Sequence, residues 1–184
     1  MRYATTMKFA LLITNALIVG GCAATKGQTQ ARSTGSFIDD SRIESLVRRE
    51  IRRADPGLKH AHVSVVSYNG VVLVLGQVDN ERLKLKATQA ATKIRKATKV
   101  HNEMEISGPI SRVARTNDTW LTSKVKTRLV ARRDIRGGRI KVVTENSVVY
   151  LMGLTTRDHA DKAVEVARNV FGVQKIVKVF EYTS

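Results

Sequence analysis

The chain is 184 residues long, enough for one medium domain or two small ones. Hydrophobic residues make up 42% of it and charged residues 26%, which excludes a chain disordered throughout. Its 32 Lys and Arg against 16 Asp and Glu give a formal net charge of +16, which points to polyanionic partners (nucleic acid, anionic lipid headgroups, acidic proteins), and the single Cys excludes an intramolecular disulfide.

Arg2 and Lys8 form a positive n-region, and Phe9 to Val19 is apolar apart from Thr14 and Asn15. That run is about half as long as a bilayer-spanning helix must be, so it reads as the h-region of a secretory signal. Val19-Gly20-Gly21-Cys22 follows and resembles the lipobox of bacterial lipoproteins. The resemblance implies that residues 1–21 are removed, that the Cys22 thiol receives diacylglycerol, and that the freed amine is acylated, with palmitate the implied chain. Several acyl chains on one residue exceed the two signals that stable anchoring takes. The alternative is an ordinary secretory signal with an incidental cysteine. Ala23 stands where, by the same family analogy, Asp would retain a lipoprotein in the inner membrane, so the expected address is the outer membrane of a Gram-negative cell. Residues 23–36 are small and polar, so residues 22–37 read as a lipidated flexible tether with a reach of about 20 Å. Processing removes Arg2 and Lys8 and leaves a charge of +14.

Beyond the tether, Asp39/Asp40 is placed to cap a helix with an apolar stripe at Ile43, Leu46/Val47 and Ile51, stopped by Pro56-Gly57. Val63 to Ser67 and Val71 to Val78 read as strands joined at Asn69-Gly70, a strong hairpin signal. Asp79/Asn80 then starts a second helix that turns Leu83, Ala87, Ala90/Ala91 and Ile94 inward, and Val100 to Ile106 is a third strand. Gly108-Pro109 marks a joint. The same order returns: a helix from Asp118 to about Arg132, strands at Ile140–Glu145 and Val148–Leu154, a helix from about Thr156 to Phe171, and a strand at Lys175–Tyr182. The two copies align at an offset of about 77 residues, pairing Ile43, Val47 and Ile51 with Leu121, Val125 and Leu129. The fold class is therefore α+β: two tandem α-β-β-α-β modules, residues 38–108 and 116–184, each a three-stranded mixed sheet with two helices. The short joint sets them close together, and each core is small enough for packing between copies to matter.

This order, the Asn-Gly hairpin, the strands ending in Leu-x-Gly at Gly76 and Gly153, and the Val-x-Asn-x-Met of Val100 to Met104 resemble the BON domain. The second copy departs from the pattern at Ser147, where Gly is usual, and at Lys178, where Asn is usual. A lipobox followed by two such modules is similar to the dual-BON outer-membrane lipoproteins. The resemblance implies a non-enzymatic, periplasm-facing protein that binds anionic phospholipid and supports membrane integrity.

The residues themselves offer little chemistry. His60 and His62 would point to opposite faces at a strand start, and neither Cys nor carboxylates complete a metal set, so no metal and no cofactor are expected. Asp158, His159 and Asp161 lie in a first helical turn, where carboxylates offset the helix dipole, and no nucleophile motif occurs. Arg136-Gly137-Gly138-Arg139 reads as a tight turn with basic flanks. No phosphate-binding glycine loop or small-molecule substrate site is evident.

Charge placement is more informative. Residues 119–133 carry Lys124, Lys126, Arg128, Arg132 and Arg133 without an acid, and this helix holds the only Trp. At about 100° per residue Trp120 lies roughly 140° from the stripe of Leu121, Val125 and Leu129, with Lys124 and Thr127 on its side. An amphipathic ring on a basic, solvent-facing helix suits an interfacial anchor, so Trp120, Lys124, Thr127 and Arg128 are the candidate lipid-binding residues. The first copy has Arg42 at the equivalent place. The alternative is that Trp120 packs under the joint or against the other copy. A second basic surface runs through Arg82, Lys84, Lys86, Lys93, Arg95 and Lys96. A periplasmic protein-interaction module, acting on an envelope assembly or quality-control machine, is the competing function. Export and few aromatic rings argue against nucleic acid.

Overall fold

Two tight hairpins organise the molecule, and both need backbone that side chains usually avoid. The computed structural model describes residues 34–108 and 111–183; the signal, Cys22 and the tether up to residue 33 lie outside them. β1 (His62–Tyr68) and β2 (Val71–Val78) pair antiparallel around Asn69 and Gly70, whose φ angles of 52° and 81° match the right-handed strand twist. β5 (Lys141–Glu145) and β6 (Val148–Thr155) do the same around Asn146 and Ser147, at φ 49° and 63°. Ser147 thus holds the left-handed geometry for which glycine is the usual residue.

Each turn is clamped by a buried acid from the first helix of its module. Asp40 accepts from the Ser67 hydroxyl (2.7 Å) and from the backbone N–H groups of Asn69 and Gly70 (both 2.9 Å). Asp118 accepts from the N–H groups of Asn146 and Ser147 (both 2.8 Å). This corrects the placing of Asp39/Asp40 and Asp118 at helix starts. α1 spans Thr34–Ala54 and α4 spans Arg112–Ala131, the latter capped by Ser111, whose Oγ accepts from Ala114 N at 3.1 Å. An acid ahead of an apolar stripe gives the same sequence signal whether it caps its own helix or reaches a hairpin. Residues 34–37, assigned to the tether, are consequently helical, and the second module's helix begins before residue 116.

Pro56 also behaves differently from a stop. It opens the single-turn helix α2 (Pro56–His60), capped by Asp55, because a first helical position needs no N–H donor. α3 (Glu81–Thr92) is capped by Asn80 and α5 (Arg157–Arg168) by Thr156. α5 ends three residues short of Phe171.

The third strand runs parallel to β2, but in two pieces, β3 (Lys99–Asn102) and β4 (Glu105–Ile106), where one strand is expected. The cause is Asn102. Its Nδ2 donates to the Lys84 carbonyl (2.9 Å) and the Thr88 hydroxyl (2.8 Å) on α3, and its Oδ1 accepts from Met104 N (3.1 Å). The detour buries Met104 in the core. Lys178 replaces this Asn in the second copy, and there β7 (Lys175–Tyr182) runs unbroken beside β6.

The fold is α+β, two tandem modules each with a mixed sheet. One face of each sheet packs on its own helices: Ile43, Val47 and Ile51 of α1 meet Val72 and Val74, and Leu121, Val125 and Leu129 of α4 meet Val149 and Leu151. The alternate residues turn the other way. Tyr68, Val71, Leu73 and Leu75 form a common cluster with Tyr150, Met152 and Val179 of the other sheet. This is why every residue of β2 is buried: each of its faces lies in a different core. Polar pairs fix the edges of the seam, with Gln77 Nε2 donating to Glu145 (2.8 Å) and the Lys141 ammonium donating to Glu44 and to the Ser67 carbonyl (both 3.1 Å).

Candidate functional site

α4 separates two chemistries around its circumference. Leu121, Val125 and Leu129 are fully buried against the sheet, so the residues opposite them must face solvent. Val113 and Trp120 do so, at 79% and 48% exposure, and Thr127 is exposed in line with them. The Lys124 ammonium lies 3.7 Å from the centroid of the indole, one helical turn along. A cation over a ring in this geometry is attracted by its quadrupole. The exposed face therefore presents an aromatic ring with a positive charge fixed beside it.

Three of the four candidate residues, Trp120, Lys124 and Thr127, share this face. Arg128 is set apart. Its guanidinium donates to the carbonyl of Asn169, just past the end of α5, where the negative end of that helix dipole lies. It braces α4 against α5 while remaining exposed. Two other cations, Lys126 on α4 and Arg132 just past its end, are also occupied. The Lys126 ammonium donates to the carbonyls of Gly137 (3.1 Å) and Ile140, and burial lowers its pKa. Arg132 grips Asp134 through bonds of 2.7 and 2.6 Å, which holds that carboxyl down at about 2. The all-basic appearance of the helix thus overstates the charge it offers outward, and Lys124 is its best-placed cation.

The basic surface expected on α3 is likewise partly neutralised. Lys86 and Arg82 both bind Asp55 (2.7 and 2.8 Å), holding its carboxyl well below the usual carboxylate range, and Lys96 pairs with Asp39 (2.7 Å). In its place the structure gathers Arg48, Arg49, Arg52, Arg53, Lys59 and His60 around one cleft at the end of α1. Alternation with Glu44 and Glu50 hides this group in the sequence, yet Glu44 points to the seam and only Glu50 stays nearby. Phe171, assigned to a helix end, instead stands 87% exposed in a turn.

Among the described residues no three His, Cys, Asp or Glu side chains are grouped to hold a metal, and no helix is long and apolar enough to cross a membrane. Asp158 and Asp161 serve as ion-pair partners of Lys162 (2.7 Å) and Lys178 (3.4 Å).

Comparison with known proteins gives a consistent picture. The BON domain matches residues 39–108 and again residues 117–184. The outer membrane lipoprotein DolP of Haemophilus influenzae is 36% identical over 167 residues, covering 91% of this chain and 86% of its own. A 21 kDa hemolysin of Actinobacillus pleuropneumoniae is 34% identical, over 82% of this chain and 78% of its own. The osmotically-inducible protein Y of Escherichia coli is 27% identical, over 88% and 82%.

Proposed function

The chain belongs to the BON-domain family, and on that premise we propose that it is an outer-membrane lipoprotein that binds anionic phospholipid through its second module and supports envelope integrity, without catalysis. The lipobox-like Val19-Gly20-Gly21-Cys22 and the similarity to a protein named as an outer membrane lipoprotein support the address. Cys22 supplies the anchor, and the modules face the periplasm. The observation that carries the binding role is Trp120, half exposed on a helix face with Lys124 beside its ring. An indole is favoured at the boundary between headgroups and acyl chains, and an adjacent ammonium attracts phosphate.

Anchoring is tested in cells. Cys22→Ala should leave the chain unprocessed or released from the membrane fraction, and normal processing with outer-membrane recovery would remove the lipoprotein assignment.

Lipid binding is tested with the chain from residue 22 onward, carrying Cys22→Ser, on phosphatidylglycerol/phosphatidylcholine vesicles. A cation near the surface adds about 1 kcal/mol, and salt screens it over a Debye length of about 8 Å at physiological ionic strength. Burial of the indole is not screened. Lys124→Glu should therefore weaken binding strongly at low salt and less at high salt, while Trp120→Ala weakens it at both. Arg42→Ala, the equivalent position in the first module, should barely matter. Binding by Trp120→Ala equal to the parent at both salts would overturn the lipid assignment and favour a protein partner.

A further inference from the structure

Phe171 is more exposed than any other large apolar side chain of the described residues, at 87%. It stands in the turn after α5, between Val170, which is buried, and Gly172, which is exposed. That turn is fixed at two points. Gly172 adopts φ 98°, and a Cβ there would lie 3.0 Å from the Leu121 side chain, so the turn lies close against α4. At its other end the Asn169 carbonyl receives the Arg128 guanidinium, two turns further along the same helix. Leu121 is the immediate neighbour of Trp120, and Lys124 lies between Leu121 and Arg128 on the helix surface. Phe171 is thus held along the edge of α4 that carries Lys124. Exposed Lys175 flanks it in sequence, as does Arg168, which pairs with Glu165 at 3.5 Å.

The duplication supplies an internal control. Aligning the third strands pairs Phe171 with Arg95, and aligning the first helices pairs Trp120 with Arg42. All four positions are exposed. At two solvent-facing places in the fold, the second module carries aromatic rings where the first carries arginine. A ring fixed in water on a clamped turn contributes nothing to its own core, and two such replacements beside the same helix share one explanation.

We propose that Phe171 is a second apolar prong, entering an anionic bilayer beside Trp120 with Lys124 at the phosphates between them. This rests on the membrane-binding role proposed for α4, and it assigns the surface to two elements. The net charge of +14 on the processed chain and the cations around both rings match an anionic headgroup layer.

The test uses the chain from residue 22 with Cys22→Ser, on the same phosphatidylglycerol/phosphatidylcholine vesicles. Phe171→Ser should weaken binding about fivefold at both low and high salt, because the lost contribution is apolar. Its unfolding midpoint should stay that of the parent. A single-indole variant, Trp120→Phe with Phe171→Trp, should show a blue shift on vesicles and quenching by lipids brominated in the acyl chain. Undiminished binding by Phe171→Ser together with an unshifted indole at 171 would overturn the prong. The role of α4 would then stand if Trp120→Ala still weakened binding at both salts. A parent chain that ignores vesicles would remove both. A concentration-dependent dimer abolished by Phe171→Ser, with vesicle binding intact, would reassign the surface to a second copy and also overturn the proposal.

Discussion

Alanine at position 76 should prevent the first module from forming its native sheet, whereas alanine at the matching Gly153 should be tolerated at a moderate cost. Gly76 sits at φ 125°, and a Cβ built there falls 1.8 Å from the His62 carbonyl oxygen and 2.8 Å from the carbonyl carbon. Those atoms belong to β1, held in register by the Val63–Gly76 pairing, so they cannot retreat without breaking the hairpin. The expected loss exceeds about 4 kcal/mol, the range reserved for changes the structure cannot absorb. Gly153 has φ 159°, nearer ordinary extended backbone, and its Cβ would meet the Arg139 carbonyl oxygen at 3.0 Å, a contact that a small shift relieves. About 1–2 kcal/mol is expected there. Urea unfolding followed by far-UV dichroism distinguishes them. A Gly76→Ala protein as stable as Gly153→Ala would mean that β1 and β2 leave room for a Cβ between them.

This difference between equivalent glycines was beyond the reach of sequence, although much around it was not. The Asn69-Gly70 turn, the stripes of Ile43, Val47, Ile51 and of Leu121, Val125, Leu129, and the outward setting of Trp120 all follow from local periodicity and turn chemistry. These are short-range rules, and the folded chain obeys them. What escaped depends on partners distant in sequence. Asp40 and Asp118 reach hairpins about thirty residues away, so their role is invisible from the helix that carries them. Asn102 breaks its strand because of Lys84 and Thr88 on α3. Lys126 and Arg128 appear as outward charge until the carbonyls that hold them are located. Phe171 reads as a helix end in the sequence, while Gly172 at φ 98° turns the chain and leaves the ring outside.

Replacing Leu73 by Ala should destabilise the module that does not contain it. Leu73 is fully buried, but it belongs to neither helix-facing core; it lies in the seam with Leu75, Tyr150, Met152 and Val179. Truncating such a side chain costs about 2–5 kcal/mol, through lost transfer energy and the cavity left behind. Where that cost registers depends on whether the seam is part of the folding unit. Separated from each other, both sheets would expose a continuous apolar back face, and small cores leave little stability to tolerate this. The modules should therefore unfold in one transition. The only Trp provides the means to see it, since Trp120 reports on the second module while Leu73 sits in the first. In the parent, the midpoint from Trp120 fluorescence should coincide with that from far-UV dichroism. In Leu73→Ala both should fall together. A Trp120 midpoint that stays in place, while dichroism develops an earlier separate transition, would mean that the seam joins two modules that fold independently.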